Sequence, residues 1–194
     1  MVETASRQSP LGEWAPRFAA VAPAILLSEV PFTTILNLRV RVGSAASAAV
    51  EAALGLELPR HPRHVGAIGH ERAIWLAPDE FLVTSSTRSA SDLGGLITAA
   101  LGDSANGALV DTSAQFTVIT LAGPESRDLL AGGCSTDLSP EQAPTGMSVH
   151  TPLAQASVIL VVADAAAGAF LLIVRASFAD YLASWLTTMA REYS

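Results

Sequence analysis

The chain has 194 residues, half of them apolar and 15% charged, enough to bury roughly 70% of its unfolded surface in one body. That composition excludes intrinsic disorder, and a single cysteine, Cys134, excludes a disulfide framework and every multi-cysteine zinc motif. A formal charge of −7, with every base an arginine, argues against nucleic acid and an anionic membrane surface, and the lack of lysine removes Schiff-base chemistry.

In chain order, residues 1–30 are rich in Pro, Ala and Ser and read as an extended arm carrying Pro10, Leu11, Trp14 and Phe18, with a short strand near Ala24 to Leu27. Leu36, Leu38, Val40 and Val42 alternate with Asn37, Arg39 and Arg41, a half-buried strand. A helix follows with Ala46, Ala49, Val50, Ala53 and Leu54 on one face, closed by Gly55. After a loop over residues 58–64, strands at 73–76 and 80–84 flank the turn residues Pro78-Asp79. A helix with Leu93, Leu96, Ile97 and Leu101 ends at Gly102.

The order then starts again. Residues 115–121 form a strand, and Gly123-Pro124-Glu125 opens a helix that ends at Gly132-Gly133. The apolar span from Ala156 to Val174 would carry Asp164 near the centre of a membrane helix, at about 2.5–3.5 kcal/mol. It reads instead as a hairpin of two β-branched runs, 158–162 and 170–174. The N-terminus lacks a basic region followed by an apolar run, so no signal peptide is expected and the cytoplasm is the expected compartment. The final helix carries Phe178, Tyr181, Leu182, Trp185, Leu186 and Met189 at helical spacing, with Ser177 and Asp180 as a capping box.

Both halves read strand-helix-strand-strand-helix, with Gly43 matching Gly123 and Phe81 matching Phe170. The expected fold is α+β: an arm at 1–30 and two ferredoxin-like modules at 31–106 and 107–194, whose sheets merge into one body.

Little in the sequence carries chemistry. Gly66-Ala67-Ile68-Gly69 lacks the third glycine of a dinucleotide loop. His61 and His64 are held apart by Pro62, and His70 and His150 lie far off, so loop histidines are expected and no metal site. Cys134 follows a helix C-terminus, the wrong end to lower a thiol pKa, and reads as a small core residue. No Gly-x-Ser-x-Gly elbow occurs. The carboxylates of Asp79-Glu80 should point to opposite faces of a strand. No catalytic, cofactor-binding or metal-ligating residue is assigned. The candidate partner surface consists of Pro10, Leu11 and Trp14 on the arm, which packs either on its own body or on another subunit, and of Arg39 and Arg41 on the first strand.

An ordered set of segments is familiar: Ser9-Pro10-Leu11, Asn37-Leu38-Arg39, Leu56-Glu57-Leu58-Pro59, Trp75-Leu76-Ala77-Pro78-Asp79-Glu80-Phe81-Leu82 and Val110-Asp111-Thr112-Ser113. It continues through Leu121-Ala122-Gly123-Pro124, Gly133-Cys134-Ser135-Thr136-Asp137-Leu138, Thr151-Pro152-Leu153-Ala154 and Val174-Arg175-Ala176-Ser177-Phe178. Together they resemble the gamma subunit of heterotetrameric sarcosine oxidase over nearly the whole chain. The resemblance implies a complex that demethylates sarcosine to glycine and hydrogen peroxide and passes the one-carbon unit to tetrahydrofolate. It implies NAD and a folate site on alpha, FAD on beta and FMN between them, with alpha, beta and delta as partners. Gamma would bear no cofactor, support alpha, and share the fold of the folate-binding portion of the glycine-cleavage T-protein. The alternative is a freestanding folate protein of the T-protein or iron-sulfur-assembly kind. The latter's Lys-Gly-Cys mark is absent, since Gly132 precedes Gly133-Cys134.

Overall fold

Strands that alternate apolar and polar residues must bury one face, and here the inner strands of each sheet bury residues on both. The reason is a four-layer stack. A computed structural model describes residues 7–21, 23–102 and 107–193; residues 1–6 of the expected arm lie outside them. The elements are α1 (Ala15–Ala19), β1 (Leu26–Val30), β2 (Thr34–Val40), α2 (Ala45–Leu54), β3 (Val65–Ile68), β4 (Glu71–Ala77), β5 (Glu80–Ser85) and α3 (Ala90–Leu101). There follow β6 (Gly107–Asp111), β7 (Phe116–Ala122), α4 (Ser126–Ala131), β8 (Ser148–Leu153), β9 (Ala156–Asp164), β10 (Ala169–Arg175) and α5 (Ala176–Met189).

All strand pairs are antiparallel, in two five-stranded sheets ordered β3-β4-β5-β2-β6 and β8-β9-β10-β7-β1. The two orders are the same pattern twice, with one exchange. β1 precedes the first half yet pairs with β7, and β6 precedes the second half yet pairs with β2. The sheet bodies therefore do not follow the division expected at 106/107, because the strand beginning at Gly107 belongs by hydrogen bonding to the first sheet. Register also corrects the match between halves. Leu38 lies opposite Phe81, and Leu121 lies opposite Phe170, so Leu38 and Leu121 are the equivalent pair. Matching Gly43 to Gly123 would set the core residue Leu36 against Phe116, which packs on the inter-sheet layer.

Helices α2 and α3 cover the outer face of the first sheet through Val50, Leu54, Leu93 and Ile97, and α1, α4 and α5 cover that of the second. The inner faces meet through Ile35, Ile74 and Leu82 from one sheet and Val118, Ile159, Val161 and Ile173 from the other. The sheets thus stack face to face rather than merging edge to edge. The β3 and β8 edges touch, where Val65 N–H donates to the Gly146 carbonyl and Ser148 N–H to that of Arg63, both at 2.9 Å.

The expected extended arm is a 3-10 turn, Gly12–Trp14, running into α1, with Pro16 in the first turn, where a missing N–H costs nothing. Gly55 closes α2 with φ +69°. α4 begins at Ser126, two residues beyond Pro124. α5 begins at Ala176 with Arg175 as its N-cap, so Ser177 is already inside the helix and forms no capping box. Its buried face is Ala179, Leu182, Ala183 and Leu186, rotated from the expected stripe, and Phe178 and Tyr181 remain exposed.

Gly133, at the end of α4, lets the α5 side chain of Trp185 lie against the backbone. A Cβ there would stand 2.5 Å from the indole ring and 3.1 Å from the Ala154 nitrogen. Gly133→Ala is expected to cost about 2 kcal/mol of unfolding free energy in urea titration, within the usual range for overpacking. A loss below about 0.5 kcal/mol would mean that the indole moves aside.

Candidate functional site

β2 outruns the cover of the second sheet. Ile35 is sealed between the sheets, while Asn37 and Arg39 on the same face reach an open end. Arg39 lies directly opposite Glu80 on β5, and the Glu80 carboxylate accepts from both strand residues: Asn37 Nδ2 at 2.8 Å and an Arg39 guanidinium nitrogen at 3.1 Å. With two-thirds of the Arg39 side chain in solvent, this pair orients more than it stabilises. Asp79, in the β4–β5 turn, accepts Val42 N–H on its carboxylate at 3.2 Å and Val40 N–H on its carbonyl at 3.0 Å. Both carboxylates are thereby committed to structure. An open depression of about 580 Å³ lies over Arg39, Arg41, Ala77, Asp79, Glu80 and Gly107. Arg41, just past the strand, is exposed and unpaired among the described residues. The depression thus carries two guanidinium and two carboxylate charges, with Arg41 the cation left without a partner among the described residues.

The arm is a different matter. Leu11 and Trp14 are buried in the core of the second sheet, at 1% and 6% exposure, so neither has surface to offer a partner; Pro10 remains exposed. Trp14 is fastened by its indole N–H, which donates to Asp180 Oδ1 at 2.7 Å. The sequence hid this link because Asp180 has a ready local role as a helix cap.

The remaining sequence candidates stay apart. His61 and His64 are exposed with ring centroids 5.9 Å apart, and no group of three His, Cys, Asp or Glu residues suited to a metal occurs among the described residues. Cys134 is buried, its Sγ 3.6 Å from Thr151 Oγ1. Trp75 packs half-buried against the first-sheet core. Burial lowers the His150 pKa, and no acid or nucleophile is hydrogen-bonded to that ring among the described residues.

Two cofactor chemistries can be tested on these residues. A pterin presents N–H donors that call for a carboxylate acceptor. The cavities flanking the inter-sheet layer, about 300 and 200 Å³, are lined by amides, hydroxyls, histidines and arginines with no carboxylate, so they do not fit it. Dinucleotide phosphates need a glycine-rich turn from strand to helix. Gly66 lies in β3 and Gly69 turns that strand into β4, so no helix N-terminus is presented.

Stacked antiparallel sheets with helices outside define a fold class shared with glycine cleavage system aminomethyltransferase T from Bartonella henselae. The TM-score is 0.58 over 91% of this chain and 49% of that one, and at 14% identity the likeness is one of fold. The family signature described as "Sarcosine oxidase, gamma subunit family" matches residues 41–192. Sarcosine oxidase subunit gamma from Arthrobacter sp. is 33% identical over 98% of this chain and 93% of its own length, and the Corynebacterium sp. (strain U-96) subunit gamma gives the same figures. A chain of the heterotetrameric sarcosine oxidase structure from Corynebacterium sp. U-96 superposes with a TM-score of 0.88, covering 97% of this chain and 96% of that one. The chain belongs to the sarcosine oxidase gamma subunit family.

Proposed function

We propose that this chain is the small, non-catalytic gamma subunit of a cytoplasmic heterotetrameric sarcosine oxidase and that it supports the alpha subunit. On this reading alpha carries NAD and the folate site, beta carries FAD and FMN lies between them, and sarcosine, dioxygen and tetrahydrofolate yield glycine, hydrogen peroxide and the one-carbon folate. The observation that carries the reading is end-to-end correspondence with a heterotetramer chain, at 33% identity and a TM-score of 0.88.

The contact is expected to be of the obligate kind, on the order of 2,000 Å². Arg39 and Arg41 are its proposed polar margin and Pro10 a further contact, because all three are exposed and the buried residues of the arm already serve the chain's own core. Co-expression with alpha, beta and delta tests the assignment. Equimolar co-purification is expected, with loss of a stable assembly when this chain is left out. A complete, fully active flavoprotein lacking it would overturn the proposal, and tight tetrahydrofolate binding by the chain alone would favour a freestanding folate protein.

A further inference from the structure

Most arginines of this chain have a visible occupation. Arg39, Arg60 and Arg88 pair with Glu80, Glu51 and Glu71, Arg7 and Arg17 lie over Phe32 and Trp14, and Arg127 donates to the carbonyls of Leu138 and Ala165. Arg72 has none among the described residues, although it is half-buried, and its desolvation lowers its pKa. An unpaired guanidinium taken partly out of water loses hydration that nothing returns.

The side chain lines a cavity of about 200 Å³ between the two sheets, at the opposite side of the shared layer from Asn37 and Arg175. Part of its wall is apolar, with Ile74 from the first sheet and Val118, Leu171 and Ile173 from the second, and Thr33 and Thr120 add hydroxyls to the lining. Thr84 sits directly across the β4–β5 ladder from Arg72 and lines the same space. At the mouth, Ser86 Oγ and His70 Nδ1 lie 3.3 Å apart. No carboxylate lines the cavity. The nearest along the chain, Glu71, is held by Arg88 at 3.1 Å on the other face of β4. The site thus offers a planar two-pronged cation, a neighbouring hydroxyl and an apolar wall, the complement of a carboxylate on a small hydrocarbon body.

We propose that the inter-sheet cavity at Arg72 binds a small apolar monocarboxylate, with the carboxylate on the Arg72 guanidinium and the Thr84 hydroxyl and the hydrocarbon against Ile74, Val118, Leu171 and Ile173. The site belongs to this chain alone and stands or falls independently of the assembly described above.

Calorimetric titration of the full chain with benzoate is the test, with benzamide as the uncharged probe of the same shape. Saturable benzoate binding is expected, with benzamide about tenfold weaker or worse, the factor set by one charge-assisted hydrogen-bond pair. Arg72→Met should weaken benzoate by about tenfold or more, Thr84→Val by about threefold, and Arg60→Met, at an exposed arginine outside the cavity, by less than about twofold. Equal binding of benzoate and benzamide, or undiminished benzoate binding by Arg72→Met, would overturn the proposal. If Arg72→Met does not fold, the benzamide comparison and Thr84→Val decide alone. Absence of saturable benzoate binding would overturn the proposal as well, whatever the assembly does, and Arg72→Met then blocking co-purification with the other subunits would assign the guanidinium to a partner's acidic side chain.

Discussion

Trp14→Ala is expected to lower the unfolding free energy by about 3–5 kcal/mol, the usual cost of removing a buried large aromatic side chain. The indole is 6% exposed, lies 6.0 Å from the Phe18 ring, and shares its core with Leu11, Ile25 and Leu27. Its N–H reaches Asp180 on α5 at 2.7 Å, so one side chain ties the start of the chain to the last helix. Trp14→Phe isolates the polar link, because a ring remains while the donor goes; about 1 kcal/mol is expected for it. A double-mutant cycle with Asp180→Ala separates the two contributions, since the Trp-to-Phe difference should shrink toward zero once the acceptor is absent. Urea unfolding of the full chain reads both. If Trp14→Ala left the midpoint in place, the arm would not be held by its own body, and Leu11 and Trp14 would return as candidates for another subunit.

Where a strand or helix buries one regular face, the sequence disclosed it. β2, β5, β7, β9 and β10 announce themselves by alternation or β-branched runs, and α2, α3 and α5 by helical spacing. The edges were not legible. β8 contains Pro152, which argues against a strand and is tolerated because β8 is the edge strand of its sheet. β3 contains Gly66, required because a Cβ would collide with the Glu57 carbonyl oxygen. β6 is short and leaves Val110 more than half exposed. Missing β6 hid the exchange of first strands, and with it the equivalence of Leu38 and Leu121. The duplication itself remained visible because each half keeps a buried phenylalanine, Phe81 or Phe170, opposite a leucine. Arg72 could not have been found from pattern alone. Its neighbours in the cavity come from β7 and β10, far along the chain, and an arginine on a strand next to a glutamate reads as solvated charge.

Gly123→Ala should be as damaging as the loss of Trp14, by a backbone route. Gly123 follows β7 with φ +121°, a conformation L residues rarely adopt, and a Cβ would collide with the Ala24 carbonyl oxygen, 3.0 Å from its carbonyl carbon and 3.4 Å from Ile25 Cα. Strain and collision together are expected to cost about 3 kcal/mol or more. The segment that must yield is the entry to β1, the strand exchanged into the second sheet. Gly43→Ala supplies the control: φ is +78° but no atom lies within 4 Å of the new Cβ, so only about 1 kcal/mol of strain is expected. At the first-half position equivalent to Gly123 stands Val40, which lies opposite Gly107 across the ladder; there a Cβ on Gly107 would meet the Leu101 side chain of α3 rather than the backbone of β2. Equal losses for Gly123→Ala and Gly43→Ala in urea titration would mean that β1 shifts freely, and that the exchange does not depend on this crossing.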